Sequence, residues 1–422
     1  MATPESRRSE TLYLSGGEPQ SVLTANGVAT WRTFPSLRGN LRTVGVPLLL
    51  VYARIMEGLL VSDHQLTLVR LTGLGSAYPS VSQGPLVNLE HWDAGWYSSI
   101  AIHGYATGPD AAFFPGYPAI SALLHVVTLG AVSVPVALFV VSWGALSGLA
   151  LLFLRLCRHV GVRQELALVT LFTLLFGPGS CFLISWYPLS LYLFLTCTAL
   201  ILLFEGKEWT ATLVAGAATS LSPVAVAVSL ALAVRFLARG GLTQLSARLG
   251  KCALSVWGIA AYGFFCLMRF GSLLEPLTAQ SHWHARAIVP FTYLPSMISG
   301  AVDGHFIRSV VVALGLNLLC EALALALIVR LVVALVRRDV TGNLSTFSLF
   351  TIASLVIPAS TVVPFRTTYL AQGFARFSGA SIGFNVEIVR SVRRRSLLWV
   401  FAALWFFLGL LGQILFSGGW FT

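Results

Sequence analysis

Apolar runs as long as a membrane is thick dominate this chain. From Val44 to Ser62 the only charges are Arg54 and Glu57, and from Ala131 to Leu154 there are none. A spanning helix takes about 20 apolar residues. Comparable runs recur near 165–184, 188–204, 209–221, 223–238, 250–269, 308–335, 343–363, 373–390 and 396–415. Charged residues make up only 10% of the chain, against about a quarter in soluble domains. A soluble fold and a single-anchor enzyme are both excluded. The expected fold is all-α, a polytopic integral membrane protein of about eleven transmembrane helices. The two short segments around Ser222-Pro223 could instead form one kinked span, which would reverse the parity of everything after them.

Residues 1–43 are polar and carry Arg7, Arg8, Arg32, Arg38 and Arg42 without an apolar core, so they read as a cytoplasmic tail and not as a cleavable signal. Residues 44–422 read as one membrane domain. With the tail inside and eleven spans, 20 of the 27 lysines and arginines fall on the cytoplasmic side. The net charge of +11 is therefore topogenic, and no nucleic-acid partner is expected. Two long segments, 63–130 and 270–307, then lie outside and hold Asp63, Glu90, Asp93, Asp110, Glu275 and Asp303. Any chemistry is expected there. The six cysteines sit in apolar stretches without a CxxC pair, which indicates neither a disulfide framework nor a metal cage. Nothing resembles a dinucleotide-binding fingerprint.

The polar, aromatic stretch 89–118, LEHWDAGWYSSIAIHGYATGPDAAFFPGYP, is the most informative. Glu90 and Asp93 stand three apart beside His91, Trp92, Trp96, Tyr97 and Tyr105, so a helical start would set both acids on one face. A carboxylate among such rings can act as a general base toward a sugar hydroxyl. The same residues also suit an interfacial helix whose aromatics form a belt and whose acids are merely solvated.

The order of the residues favours the first reading. Trp92-Asp93-Ala94-Gly95-Trp96-Tyr97, Ile100-Ala101, His103-Gly104-Tyr105 and Ala112-Phe113-Phe114-Pro115-Gly116-Tyr117-Pro118 together resemble the first lumenal loop of the PIG-V type mannosyltransferases. These are the GPI mannosyltransferase 2-like enzymes and their bacterial relatives in the GT-C superfamily. The resemblance implies a GT-C-like helical bundle, a polyprenyl-phosphate sugar donor, an inverting mechanism and a catalytic aspartate at Asp93. Weaker echoes follow: Gly271, Pro276, Gln280, Trp283 and Arg286 resemble the family's second external loop. Ala375-Arg376-Phe377 resembles its Arg-Tyr motif, and Phe416-Ser417-Gly418-Gly419-Trp420 its C-terminal ending. Two positions depart from the pattern. Leu189 stands where the family carries the acid of Tyr-x-Glu-Ser, and Ser222 where an arginine often precedes Pro223.

The expected site therefore has Asp93 as base, Arg376, Arg286 and Arg366 on the donor phosphate, and Trp92, Trp96, Tyr97, Glu90, His91 and Trp283 around the sugar and acceptor. His282 and His284 flank Trp283 without a third ligand at fitting spacing, so no metal or cofactor is expected. Arg54 and Glu57 can pair on one helix face, as glue or as function, and Glu321 lies deep in a span without an obvious partner. The expected activity is transfer of a hexose, mannose by resemblance, to a glycolipid, glycan or protein hydroxyl outside a bacterial plasma membrane. A lipid-linked saccharide flippase would instead line its spans with polar groups. An inert accessory relative is the third reading, prompted by Leu189 and Ser222.

Overall fold

A computed structural model of the chain describes residues 41–74, 84–239, 244–303, 308–337, 339–365, 368–371, 376, 379–392 and 394–417. Arg366, Ala375, Phe377, Gly418, Gly419, Trp420 and nearly all of the polar tail lie outside the described residues. The chain is overwhelmingly helical. Among the described residues five helices are long and apolar enough to cross a membrane: Leu41–Asp63, Val134–His159, Arg308–Val336, Asn343–Ser360 and Arg395–Ser417. Leu245–Leu254 and Trp257–Phe270, bent by 61° at the break between them, make a sixth if they form one span. Shorter apolar helices cover Gly116–Val127, Gln164–Phe176, Leu189–Phe204 and Pro223–Ala238.

Most expected spans coincide with helices, and the differences have local causes. The run 165–184 is two helices, Gln164–Phe176 and Cys181–Ile184, because Gly177-Pro178-Gly179 interrupts it. The run 343–363 stops being α-helical at Val356, two residues before Pro358, and its β-branched Thr361, Val362 and Val363 leave as a strand. That strand, β2 (Thr361–Phe365), pairs antiparallel with β1 (Arg286–Ala287) and β3 (Thr368–Ala371), a small sheet that an all-helical expectation does not contain. Glu208–Thr219 and Pro223–Ala238 are separate helices. Ser222, extended at φ −164°, accepts a hydrogen bond from the Val224 amide and caps the turn between them.

Helices meet closely where small residues permit it. A Cβ on Gly258 would lie 2.3 Å from the Gly216 carbonyl oxygen, so the Trp257–Phe270 and Glu208–Thr219 helices touch backbone to backbone. The first and last long helices are joined by buried polar groups. Arg54 pairs with Glu57 and donates to Gln413, Gln413 Nε2 donates to Ser417 Oγ at 3.2 Å, and that hydroxyl meets Ser62 Oγ at 3.2 Å. Arg54 thus links the two helices, with Glu57 as its ion-pair partner on its own helix. Glu321 is buried, with the Tyr293 hydroxyl as its neighbour.

Candidate active site

The first loop enters the site through two short helices. Val87–Leu89 is a single 3₁₀ turn, and Ala94–His103 is an α-helix with Asp93 at its N-cap. An aspartate there usually caps the first amides with its carboxylate, worth about 0.5–2 kcal/mol. Asp93 forgoes that bond and directs Oδ2 to Arg376 Nη1 at 3.0 Å. Oδ1 makes no hydrogen bond to the described residues. The preceding residue, Trp92, has φ +60°, the left-handed region that non-glycine residues avoid. A cap given up beside a strained residue marks a turn shaped by something other than helix stability.

Arg376 is held on several sides. Its guanidinium lies 4.7 Å above the Tyr187 ring and 5.2 Å above Phe182, and the Tyr97 hydroxyl lies near enough to feel its charge. Rings below and a carboxylate at the side suit a cation that is only 14% exposed. Asp93 is 37% exposed, so the carboxylate is the open member of the pair. The Tyr187 hydroxyl donates to the His91 carbonyl at 2.8 Å and accepts from the Asp93 amide at 3.2 Å.

An aromatic shelf continues from this pair. Trp96 stacks on Phe113 with centroids 5.4 Å apart, and Trp283 meets both edge-on at 5.6 and 5.5 Å. Tyr105 and Tyr262 both donate to the Phe113 carbonyl, at 2.6 and 3.0 Å, fixing that shelf. The Gly116 amide bonds to the Ser220 carbonyl at 2.8 Å, and a Cβ there would lie 2.9 Å from the same oxygen. The glycine is therefore needed for backbone contact. Asp110 serves structure, its Oδ2 accepting from the Ala106 and Thr107 amides at 2.9 and 2.6 Å.

The expected residues separate into those the fold gathers and those it does not. Asp93 and Arg376 meet directly with Tyr97 close by, but the Tyr97 ring is buried in T-shaped contacts with Phe113, Tyr117 and Tyr187. Little of that ring is left open at the surface. Trp92 is 44% exposed. His91 Nε2 lies 3.0 Å from the Ser417 carbonyl, and burial lowers its pKa. The ring is then neutral near pH 7 with its proton on Nε2, and it ties the loop to the last helix. Glu90 is half-buried, and desolvation pushes its carboxyl up to about 7. Arg286 stands exposed in β1. A shallow polar cleft between the two loops is lined by Gly108, Pro109, Ser272, Glu275, Thr278 and His282; neither Asp93 nor Arg376 reaches it.

Tyr187 and Phe182 are site residues that sequence reasoning passed over. Tyr187 had one visible sign, its place in the Tyr187-Pro188-Leu189-Ser190 turn. Leu189 is buried and apolar, while Ser190 Oγ donates to the Leu183 carbonyl at 2.6 Å.

Fold and site together define a helical protein able to cross a membrane several times, with a carboxylate–guanidinium pair set in an aromatic frame where its loops converge. The sequence comparisons give that class a family. Residues 48–243 match the family model Mannosyltransferase (PIG-V), and the chain is related to the PIG-V mannosyltransferases, as the first loop implied. GPI alpha-1,6-mannosyltransferase 2 of Homo sapiens is 31% identical over 153 residues, covering 33% of this chain and 30% of that protein. The Mus musculus protein of the same name is 32% identical over 189 residues, covering 42% and 38%. That of Cricetulus griseus is 30% identical over 205 residues, covering 45% and 41%. The chain thus matches less than half the length of these relatives. Asp93 and Tyr187 lie inside the family match, whereas Trp283, Arg376 and Ser417 lie beyond it. No solved structure matches the chain.

Proposed function

We propose that this protein is an inverting glycosyltransferase that moves mannose from a polyprenyl-phosphate donor to an acceptor hydroxyl on the extracytoplasmic face. The membrane domain would be a GT-C-like bundle of about eleven spans, some of them supplied by the shorter apolar helices. The observation that carries the reading is the Asp93–Arg376 pair, 3.0 Å apart and open on the carboxylate side, with Asp93 inside the matched segment.

In this mechanism the acceptor O–H gives its proton to Asp93 as its oxygen bonds to C1 of the sugar. The C1–O bond to phosphate breaks on the opposite face, turning a β-linked donor into an α product. Polyprenyl phosphate leaves with the bonding pair, and Arg376 holds its charge through a planar fork that matches phosphate. Arg286 and Arg366 are the further candidates for that charge. Trp92, Trp96 and Trp283 offer ring faces and edges to the sugar and acceptor.

Nucleophile and leaving oxygen must lie on opposite sides of C1, so base and phosphate cation cannot remain in contact with the sugar between them. Donor binding therefore replaces the Asp93 carboxylate on Arg376 by phosphate and releases the base. The activity is tested by incubating detergent-solubilised protein with lipid-phosphate mannose, glucose and arabinose and reading products by mass spectrometry. Mannose transfer supports the reading, and no transfer from any donor to glycolipid, glycan or peptide acceptors refutes it.

A further inference from the structure

We propose that Tyr187 is the positioning residue of this site, its hydroxyl stapling the turn that carries Asp93 while its ring seats Arg376. The catalytic consequence rests on the transferase reading above; the geometry does not.

The phenol is built in from every side. Tyr187 is fully buried, wedged edge-on against Phe182 at 4.9 Å and Phe416 at 6.2 Å. Its backbone is fixed by a tight turn to the Ser185 carbonyl at 2.8 Å. The Ser142 hydroxyl reaches the carbonyls of Ser185 and Tyr187 at 3.1 and 3.3 Å, and Pro188 caps the helix that follows. The hydroxyl has little freedom to move.

That fixed oxygen touches the loop on both sides of its strained residue. It donates to the His91 carbonyl and accepts from the Asp93 amide, and between them stands Trp92 at φ +60°. Among the described residues the Asp93 amide has no other acceptor. One oxygen bridging the two flanks holds a conformation the tryptophan would otherwise leave. The ring face meanwhile carries the guanidinium at 4.7 Å. Both members of the ion pair are therefore referenced to one rigid side chain, from a turn 94 residues away from Asp93.

The two roles separate by substitution in the full chain. Tyr187→Phe keeps the ring and removes both hydrogen bonds, whereas Tyr187→Leu removes the ring as well. Hydrogen–deuterium exchange over residues 88–97 should rise roughly ten-fold in the Phe variant, the scale of one lost hydrogen bond, with exchange in 134–159 unchanged. In mannosyl transfer the Phe variant should lower kcat about ten-fold or more through misplacement of the base while donor KM holds. The Leu variant should raise donor KM too. Unchanged exchange over 88–97 in the Phe variant overturns the staple whatever the activity. Raised donor KM with unchanged kcat makes Tyr187 a donor contact and also overturns it. If exchange rises while wild-type protein transfers nothing, the transferase reading falls and the staple stands. Should the Leu variant not fold, the Phe variant alone decides.

Discussion

Replacing Asp93 by asparagine should abolish transfer and tighten donor binding at once. Asparagine has the size of aspartate, serves equally at an N-cap and still offers Arg376 a carbonyl oxygen, so the fold should be unaffected. It cannot take a proton, and transfer should fall by at least roughly 10²-fold, the usual scale of general-base catalysis. The binding effect comes from the ion pair, which donor phosphate must displace. A hydrogen bond to a charged group is worth about 1.5–3 kcal/mol and a neutral one about 1. Asp93 is 37% exposed, and solvent screening reduces the difference to about 1 kcal/mol. Removing that competitor should lower donor Kd roughly five-fold. Equilibrium binding of labelled lipid-phosphate mannose without acceptor, alongside turnover with acceptor, reads both quantities. A folded Asp93→Asn protein that binds donor more weakly than wild type refutes the exchange on Arg376. Turnover near the wild-type rate refutes Asp93 as base.

Arg376→Ala should weaken donor binding more than Arg376→Lys, because lysine keeps charge but loses the planar fork; equal, wild-type affinity in both would remove Arg376 from the phosphate site. Glu90, raised to about 7 by desolvation, contributes stability below its unfolded value near 4.5 that is lost as pH rises through about 7. Glu90→Gln mimics the protonated form, so its melting temperature should exceed the wild-type value increasingly from pH 5 to pH 8, with far less loss of transfer than Asp93→Asn; a pH-independent difference would discard the desolvated carboxyl. Single cysteines at Gly108 and Gln280 should react with an impermeant thiol reagent on intact cells and one at Gly342 should not. Labelling at 342 would reverse the orientation.

Much of the helical layout was legible because runs such as 131–154 declare their length and polarity locally. The breaks were less so, since Gly177-Pro178-Gly179 can kink a span or end it, and packing decides. Asp93 stood out through the order of its neighbours, and the arginine of Ala375-Arg376-Phe377 through a short motif. Their contact across 283 residues has no periodic signal, because it depends on how several helices and a small sheet close around each other. Tyr187 was hidden for a related reason. A tyrosine beside a proline between apolar runs looks like any interfacial turn until the loop it braces is in place. Tyr97 differs in the opposite sense: its position in the motif suggests a ligand face, while the fold buries the ring among Phe113, Tyr117 and Tyr187.

The bond between His91 and Ser417 joins residues 326 positions apart, and it sets an order of events in the cell. The loop bearing Asp93 emerges from the ribosome when most of the helices around it do not yet exist. Only when the last helix has inserted and docked beside the first does the loop gain its anchor at Ser417. A chain that has not yet docked this helix thus carries the Asp93 carboxylate on a loop without its anchor at Ser417.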